Sequence, residues 1–168
     1  MRPRLAASLV AALAVLGGAG PAAAQCAGGS CDASLSMTVG DVMRLTLNGA
    51  NTALGTPVEA DFTAGYRDAT GPVATVRCNR ACMVTLLGAT ATFGYAGTLP
   101  NPNKPAADLR WGTTNGAYPN TLGSAATVYS GAATDGTARP LFYRTLWSFS
   151  SDVPGTYTLV ASFTISAP

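Results

Sequence analysis

The chain has 168 residues, of which 48% are hydrophobic and only 11% are charged, and its formal net charge is +2. It contains no histidine, which excludes Ser-His-Asp and Cys-His catalytic arrangements and histidine-ligated zinc sites. It also has a single lysine, Lys104, and no run of basic residues, so the electrostatic footprint typical of nucleic-acid binding is absent.

The first 24 residues have the pattern of a cleavable secretory signal peptide. Arg2 and Arg4 form a basic head, residues 5–16 are an uninterrupted apolar run, and residues 22–24 are alanines of the kind that a signal peptidase reads. The twelve apolar residues would span only about 18 Å as a helix, which is too short for a hydrocarbon core of ~30 Å. We therefore expect cleavage after Ala24 and a secreted protein, in the periplasm, on the cell surface or outside the cell, with no membrane anchor after cleavage.

Removal of this segment leaves residues 25–168, a length suited to one domain. Both arginines of the basic head leave with the signal, so the remaining chain has eight basic and eight acidic residues and no net charge. A neutral surface that is poor in charge and rich in Thr, Ser and Ala favours contact with a wall, a matrix or another subunit.

Apolar and polar residues alternate along most of this domain, which is the pattern of half-buried β-strands. The clearest runs are 141–149 and 156–165, separated by an Asp-Val-Pro-Gly sequence that favours a type II turn, so we predict a C-terminal hairpin. Shorter strands are predicted over residues 35–39, 43–47, 73–77, 83–87, 90–95, 109–113 and 127–130.

Turn-forming dipeptides separate these runs, and no segment has helical periodicity over more than two turns. They stand at residues 48–49, 71–72, 115–116 and 135–136, and residues 99–105 carry three prolines and are expected to form a loop. The sequence thus predicts an all-β domain, a single Ig-like antiparallel β-sandwich with Greek-key connections, with a β-barrel as the alternative.

Four cysteines form two closely spaced pairs, and an even count in an exported chain predicts disulfides. Three pairings are open; Gly28-Gly29 favours local closure, Cys26 with Cys31 and Cys78 with Cys82, over bonds between the two pairs. A Cys₄ zinc site is disfavoured because neither spacing is C-x₂-C. We predict no metal and no cofactor.

No set of residues indicates catalysis, and we predict no catalytic residue and no enzyme. A carboxylate pair remains the alternative, since glycoside hydrolysis needs only two acids about 5–9.5 Å apart, but most of the acids stand in turn-like stretches. For ligand contact the candidates are Trp111, beside an Asn-Gly turn, and Tyr118, whereas Trp147 lies on the apolar face of its run and is expected in the core.

Two segments resemble spore coat protein U-type domains, which include archaic chaperone–usher pilus subunits. In residues 76–86 (VRCNRACMVTL) a cysteine-bearing strand precedes an alternating strand, and in residues 152–158 (DVPGTYT) a Pro-Gly-Thr-Tyr turn opens the last one. The resemblance implies an Ig-like sandwich that polymerises by donor-strand exchange. This chain departs from that pattern because only Gln25 precedes Cys26, so residues 35–39 could act as a donor strand only by leaving their own sheet.

The end of the chain, residues 155–168, also resembles the end of WxL domains, secreted β-sandwiches that attach to cell walls. Phe163-Thr164-Ile165 stands where those domains carry W-x-L. Together these features predict a secreted bacterial cell-surface subunit, structural or adhesive and pilus-like, that associates with itself or with other surface subunits. The alternatives are a module that binds cell-wall polysaccharide and, third, a carboxylate-based hydrolase.

Overall fold

The computed structural model describes residues 35–49 and 51–168. The predicted signal peptide, its cleavage site, Cys26 and Cys31 lie outside this range. All the described helices and strands belong to the compact unit Gly40–Pro168. Of these helices, none has the length and apolar character needed to cross a membrane.

Ten strands and two short helices make up the described fold. The helices are α1 (Glu59–Ala64) and a 3₁₀ turn at Ala106–Asp108. The strands are β1 (Met43–Asn48), β2 (Tyr66–Cys78), β3 (Cys82–Gly88), β4 (Gly94–Ala96), β5 (Leu109–Gly112), β6 (Asn120–Thr121), β7 (Ala126–Gly131), β8 (Thr134–Leu146), β9 (Thr156–Thr158) and β10 (Ala161–Ser166).

The strands form three antiparallel sheets, in the orders β1-β2-β8-β5-β6, β10-β3-β7 and β4-β9. Each sheet ends in edge strands, so the described sheets do not close into a barrel. The prediction of an all-β sandwich is therefore confirmed, and the barrel alternative is wrong.

The core lies between the inward faces of the central strands. Along β3, and along β2 from Pro72 onward, every second side chain is buried, because successive residues of a strand point to opposite faces. The side chains without any exposed surface include Val76 on β2, Val84 and Leu86 on β3, Trp111 on β5 and Leu141 on β8.

The predicted C-terminal hairpin is wrong. β8 pairs with β2 and β5, whereas β10 pairs with β3, and the short β9 between them pairs with β4. Residues 154–155 only bend the chain, and Gly155 lacks the positive φ of the predicted type II turn, so local turn chemistry does not decide which strand becomes the neighbour. Residues 147–155 instead carry the chain between sheets.

Three further local predictions differ from the fold. Residues 35–39 form no strand. The Gly71-Pro72 dipeptide lies inside β2 as an irregularity, with a register shift between Thr70 and Val73, and Asp135-Gly136 lies inside β8. In contrast, Asn115-Gly116 does form a turn, in which Gly116 has a φ of +84°.

Candidate functional site

One edge of the sandwich lies between the edge strands β1 and β10. Within the described chain, β1 is hydrogen-bonded only to β2 and β10 only to β3. The two edge strands come within 8 Å of each other, Cα to Cα, without forming a ladder. Both therefore keep one row of backbone N–H and C=O groups free to pair with another strand.

The inward side chains of these edge strands are incompletely covered. The members of the two rows are half-buried, although they pack against the core: Met43, Leu45 and Leu47 on β1, and Ala161, Phe163 and Ile165 on β10. On the adjoining strands β2 and β3 the equivalent positions are almost fully buried. The difference defines an apolar groove along this edge, which we call the β1/β10 groove.

One end of the β1/β10 groove deepens into a cavity of about 230 Å³. Its walls are mostly apolar and include Leu47, Leu54, Leu109, Leu122, Leu159 and Phe163. A side chain laid along the groove at this end would bury apolar surface that the described chain leaves uncovered.

Residues 35–39 have the apolar pattern that matches such a groove. Leu35, Met37 and Val39 are 95%, 87% and 69% exposed, and they alternate with Ser36 and Thr38. In a strand these three apolar side chains would occupy one face. The alternation predicts a strand of the protein's own sheet, whereas residues 35–39 belong to none of the described sheets.

The chain immediately after this segment is held by the loop between β2 and β3. The Asn79 backbone N–H and side-chain amide form hydrogen bonds with Gly40 and Val42, and Arg80 forms an ion pair with Asp41 at 2.7 Å. A disulfide between Cys78 and Cys82 closes this loop, as predicted. The other predicted disulfide, Cys26–Cys31, falls outside the described residues. Sequence reasoning missed Asn79; its place inside a Cys-x₃-Cys loop was the available signal.

A second apolar feature, which we call the aromatic cleft, lies where β8 ends and the chain leads into β9. Its cavity of about 490 Å³ is lined by Phe62, Trp147, Phe149 and Tyr157, together with Pro57 and Pro154. The Phe62 and Phe149 rings stack at 4.9 Å between centroids, although Phe149 remains 69% exposed. Trp147 is therefore a wall of a cleft and only half-buried, not the core residue that its strand pattern predicts.

Trp111, in contrast to Trp147, is fully buried. It has no exposed surface, because its position on β5 faces the core between the sheets. The expectation that Trp111 presents a ring to a ligand is therefore wrong.

Tyr118 is half-buried, and its ring lies 4.5 Å from the Arg144 guanidinium. Arg144 also stacks on Tyr66 at 3.7 Å and makes two hydrogen bonds to Asp68, of 2.7 and 2.8 Å. These bonds hold the pKa of Asp68 below its ordinary value. The pKa of Tyr118 is raised, first by desolvation of its phenol and second by its hydrogen bond to Asp68. The Tyr118 ring is thus engaged by a cation of its own chain.

Two carboxylates do converge, but they converge on a cation. Asp108 and Asp152 both accept hydrogen bonds from Lys104 Nζ, at 3.2 and 2.8 Å. Among the described residues no group of three or more His, Cys, Asp or Glu side chains is arranged to hold a metal ion.

Comparison with known proteins gives no relative: no protein-family model, no curated protein and no solved structure matches this chain.

Proposed function

We propose that this protein is a secreted structural subunit of a bacterial cell surface that polymerises by strand complementation. Residues 35–39 of one copy would add as a strand along the β1/β10 groove of the next. The observation that carries this proposal is the match between an exposed alternating segment and an uncovered groove of the same period.

The dimensions of the two partners agree. β1 and β10 are six residues long, and each offers three half-buried apolar positions to the groove, while residues 35–39 offer three apolar side chains on one face. A strand added there would receive backbone hydrogen bonds as well as apolar cover, as in β-strand addition. The resemblance of residues 76–86 and 152–158 to pilus subunits that exchange donor strands supports the same mode.

Insertion would require the groove to open. A strand paired on both sides needs its two neighbours about 9.6 Å apart, twice the usual strand spacing. β1 and β10 come closer than 8 Å in places, so they would separate by a few ångströms. We therefore expect assembly to be slow, and the free subunit to be partly protected from association at its edges.

Donor and acceptor are different surfaces of the same chain, so the contact is heterologous. Such contacts repeat without closing unless the rotation happens to form a ring, and they build filaments. A structural role outside the cytoplasm also agrees with the predicted signal peptide and with the neutral, charge-poor chain that remains after its removal.

The test is a phase-shifted variant in which Leu35 exchanges with Ser36 and Met37 with Thr38. Composition and length stay the same, but two of the three apolar side chains move to the opposite face of the segment. We expect the unchanged protein to form ladders or filaments on concentration, seen by native electrophoresis and electron microscopy, and the phase-shifted variant to stay monomeric. Equal assembly of the two, or an unchanged protein that stays monomeric at millimolar concentration, would contradict the proposal.

The secretion part has its own test. The protein recovered from the periplasm or medium of a bacterial host should begin at Gln25, as read by N-terminal sequencing. Retention in the cytoplasm with an intact N-terminus would contradict it.

A second candidate function is binding of cell-wall carbohydrate, and the aromatic cleft favours it over the surface near Trp111. Sugar rings stack on exposed aromatic faces, and Phe149 offers one. Retention on purified peptidoglycan or polysaccharide should fall at least about tenfold in Phe149→Ala, the loss expected from ~1.4 kcal/mol of stacking. Leu99→Ala, which truncates an exposed apolar residue in the 99–105 loop, is the matched control.

A further inference from the structure

We propose that Asn79 is the positioning residue of assembly: it fixes the point at which the donor segment 35–39 begins, and so the register in which that segment enters another copy. This inference rests on the proposed function. It assigns a role to the loop between β2 and β3 that strand complementation alone does not require.

Asn79 makes three hydrogen bonds to two residues, Val42 and Gly40, with its backbone N–H and both ends of its side-chain amide. Its backbone N–H donates to the Val42 carbonyl at 3.1 Å, and its Oδ1 accepts from the Val42 N–H at 2.9 Å. Its Nδ2 donates to the Gly40 carbonyl at 2.8 Å. The amide therefore continues the β1–β2 pairing beyond Met43↔Cys78, the last pair of the ladder, as far as Gly40.

The loop that carries Asn79 is tied to both main sheets. Cys78 ends β2 in the five-stranded sheet, Cys82 begins β3 in the three-stranded sheet, and the disulfide joins them across three intervening residues. Both cysteines are buried. The nearby ion pair between Arg80 and Asp41 is exposed on both sides and contributes little, so the anchor depends on Asn79.

Among the described residues, no packing at the Cβ position was found for Gly40: a Cβ built there would meet no heavy atom within 4 Å, so the hydrogen bond from Asn79 is the contact to which we assign its position. Val39 follows it directly in the donor direction, and a strand advances about 3.3 Å per residue, so the three apolar side chains would stand about 3, 10 and 17 Å from the anchor. No flexible residue therefore separates the anchor at Gly40 from the donor segment 35–39.

Loss of the anchor would give residues 40–42 freedom that docking must then remove. Fixing the backbone of even one residue corresponds to roughly tenfold in an equilibrium constant. A donor without Asn79 should therefore bind an acceptor at least about tenfold more weakly, whereas the same change in the acceptor should leave binding unaltered, because its own donor segment takes no part.

Two altered chains separate these roles. The acceptor-only chain carries Leu35→Ser, Met37→Ser and Val39→Ser, which removes the apolar face of the segment. The donor-only chain has its β1/β10 groove filled by a copy of residues 35–39 appended after Pro168 through a short Gly-Asn linker. Only one heterodimer can form, and calorimetric titration gives its dissociation constant.

Asn79→Ala is placed first in the donor-only chain and then in the acceptor-only chain. We expect at least about tenfold weaker binding in the first case, less than twofold change in the second, and an intermediate loss for Asn79→Asp, which keeps an acceptor for Val42 but no donor for Gly40. Asn115→Ala, in an exposed turn, is the matched control. Hydrogen exchange at the Val42 amide and the urea midpoint show that the anchor is lost while the fold remains.

The outcomes are distinguishable. Heterodimer formation by the two parent chains, together with a donor-specific loss in Asn79→Ala, supports the inference. Heterodimer formation with equal losses on both sides, or with no loss, overturns the inference and leaves strand complementation standing. Absence of any heterodimer between the parent chains overturns both.

Discussion

Lys104 is the only lysine of the chain, and it is 3% exposed. Its Nζ donates to Asp152 at 2.8 Å, to Asp108 at 3.2 Å and to the Leu146 carbonyl at 2.6 Å, which uses all three ammonium donors. The same atom lies 4.6 Å from the Trp147 ring centroid. One buried cation therefore joins the 3₁₀ turn, the end of β8 and the segment before β9.

Replacement of this cation should be among the most destabilising changes in the protein. Lys104→Met keeps much of the side-chain length but leaves the buried carboxylate of Asp152 without its cation, which typically costs about 3–5 kcal/mol. Urea unfolding measures the loss. Arg80→Ala, which breaks the exposed pair with Asp41, should cost less than ~1 kcal/mol. A Lys104→Met variant as stable as Arg80→Ala would show that the network contributes nothing beyond a surface pair.

Tyr143 on β8 makes the stability of the fold fall at alkaline pH. Burial raises the pKa of its phenol from 10.0 to about 12. Between these values the unfolded chain has released a proton that the folded protein still holds, so stability falls as the pH rises, by up to ~2–3 kcal/mol. Tyr143→Phe should reduce this slope in urea unfolding between pH 9.5 and 11.5, where Tyr118 and Tyr157, whose pKa values are also raised, still contribute, and it should change little at pH 7. An unaltered slope in Tyr143→Phe would refute the assignment.

At the scale of elements, the irregularity in β2 is built around a close approach to β8. A Cβ on Gly71 would overlap the Tyr143 ring, so the side-chain hydrogen is what allows the two strands to pair here. Pro72, which has no N–H to donate, falls where the ladder shifts register between Thr70 and Val73. The Gly-Pro dipeptide that indicates a turn in the sequence thus produces an offset inside one long strand.

Two glycine substitutions compare this constraint with an open site. Gly71→Ala should lower the free energy of unfolding by about 1–3 kcal/mol, because the aromatic ring behind it must shift within the core. Gly40→Ala meets no heavy atom within 4 Å and should stay within ~0.5 kcal/mol of the unchanged protein. Chemical denaturation of both variants is the measurement, and equal stability of the two would contradict the close approach.

Local patterns predicted the type of most elements but not their partners. The runs 43–47, 83–87, 109–113 and 127–130 are strands within a residue or two, because alternation reflects burial on one face and needs no knowledge of the neighbour. Pairing depends on distant segments, so the C-terminal hairpin was wrong. The places of the two tryptophans could not be predicted for the same reason, because only the order of strands puts Trp111 in the core and Trp147 at a cleft.

The sequence predicted the donor segment of the candidate site but not the groove. The alternation of Leu35, Met37 and Val39 was evident, but that pattern is the same for a strand in its own sheet and for a segment left for another molecule. The groove could not be predicted from the sequence. The pattern of residues 161–166 is that of an ordinary half-buried strand, and its apolar side chains line a groove only because no further strand of the described sheets pairs with β10.

For the whole molecule, the β1/β10 groove leaves apolar surface uncovered in the free subunit, so a strand that covers it would add stability. Anything that binds the folded protein and not the unfolded chain stabilises it by mass action, by about 2.7 kcal/mol when the free ligand is at 100 times its dissociation constant. A strand that completes the groove is such a ligand, so assembly and stability should be linked in this protein.

A peptide with the sequence of residues 35–39 measures that linkage without polymerisation. Added to the acceptor-only chain at 100 times its dissociation constant, it should raise the melting temperature by about 10 °C, since 1 kcal/mol corresponds to about 3–6 °C for a domain of this size. A peptide with Leu and Ser, and Met and Thr, exchanged has the same composition and the wrong phase, and it should raise the melting temperature far less. Equal shifts would mean that any apolar peptide satisfies the groove, and no shift at saturation would mean that β1 and β10 do not open to admit a strand.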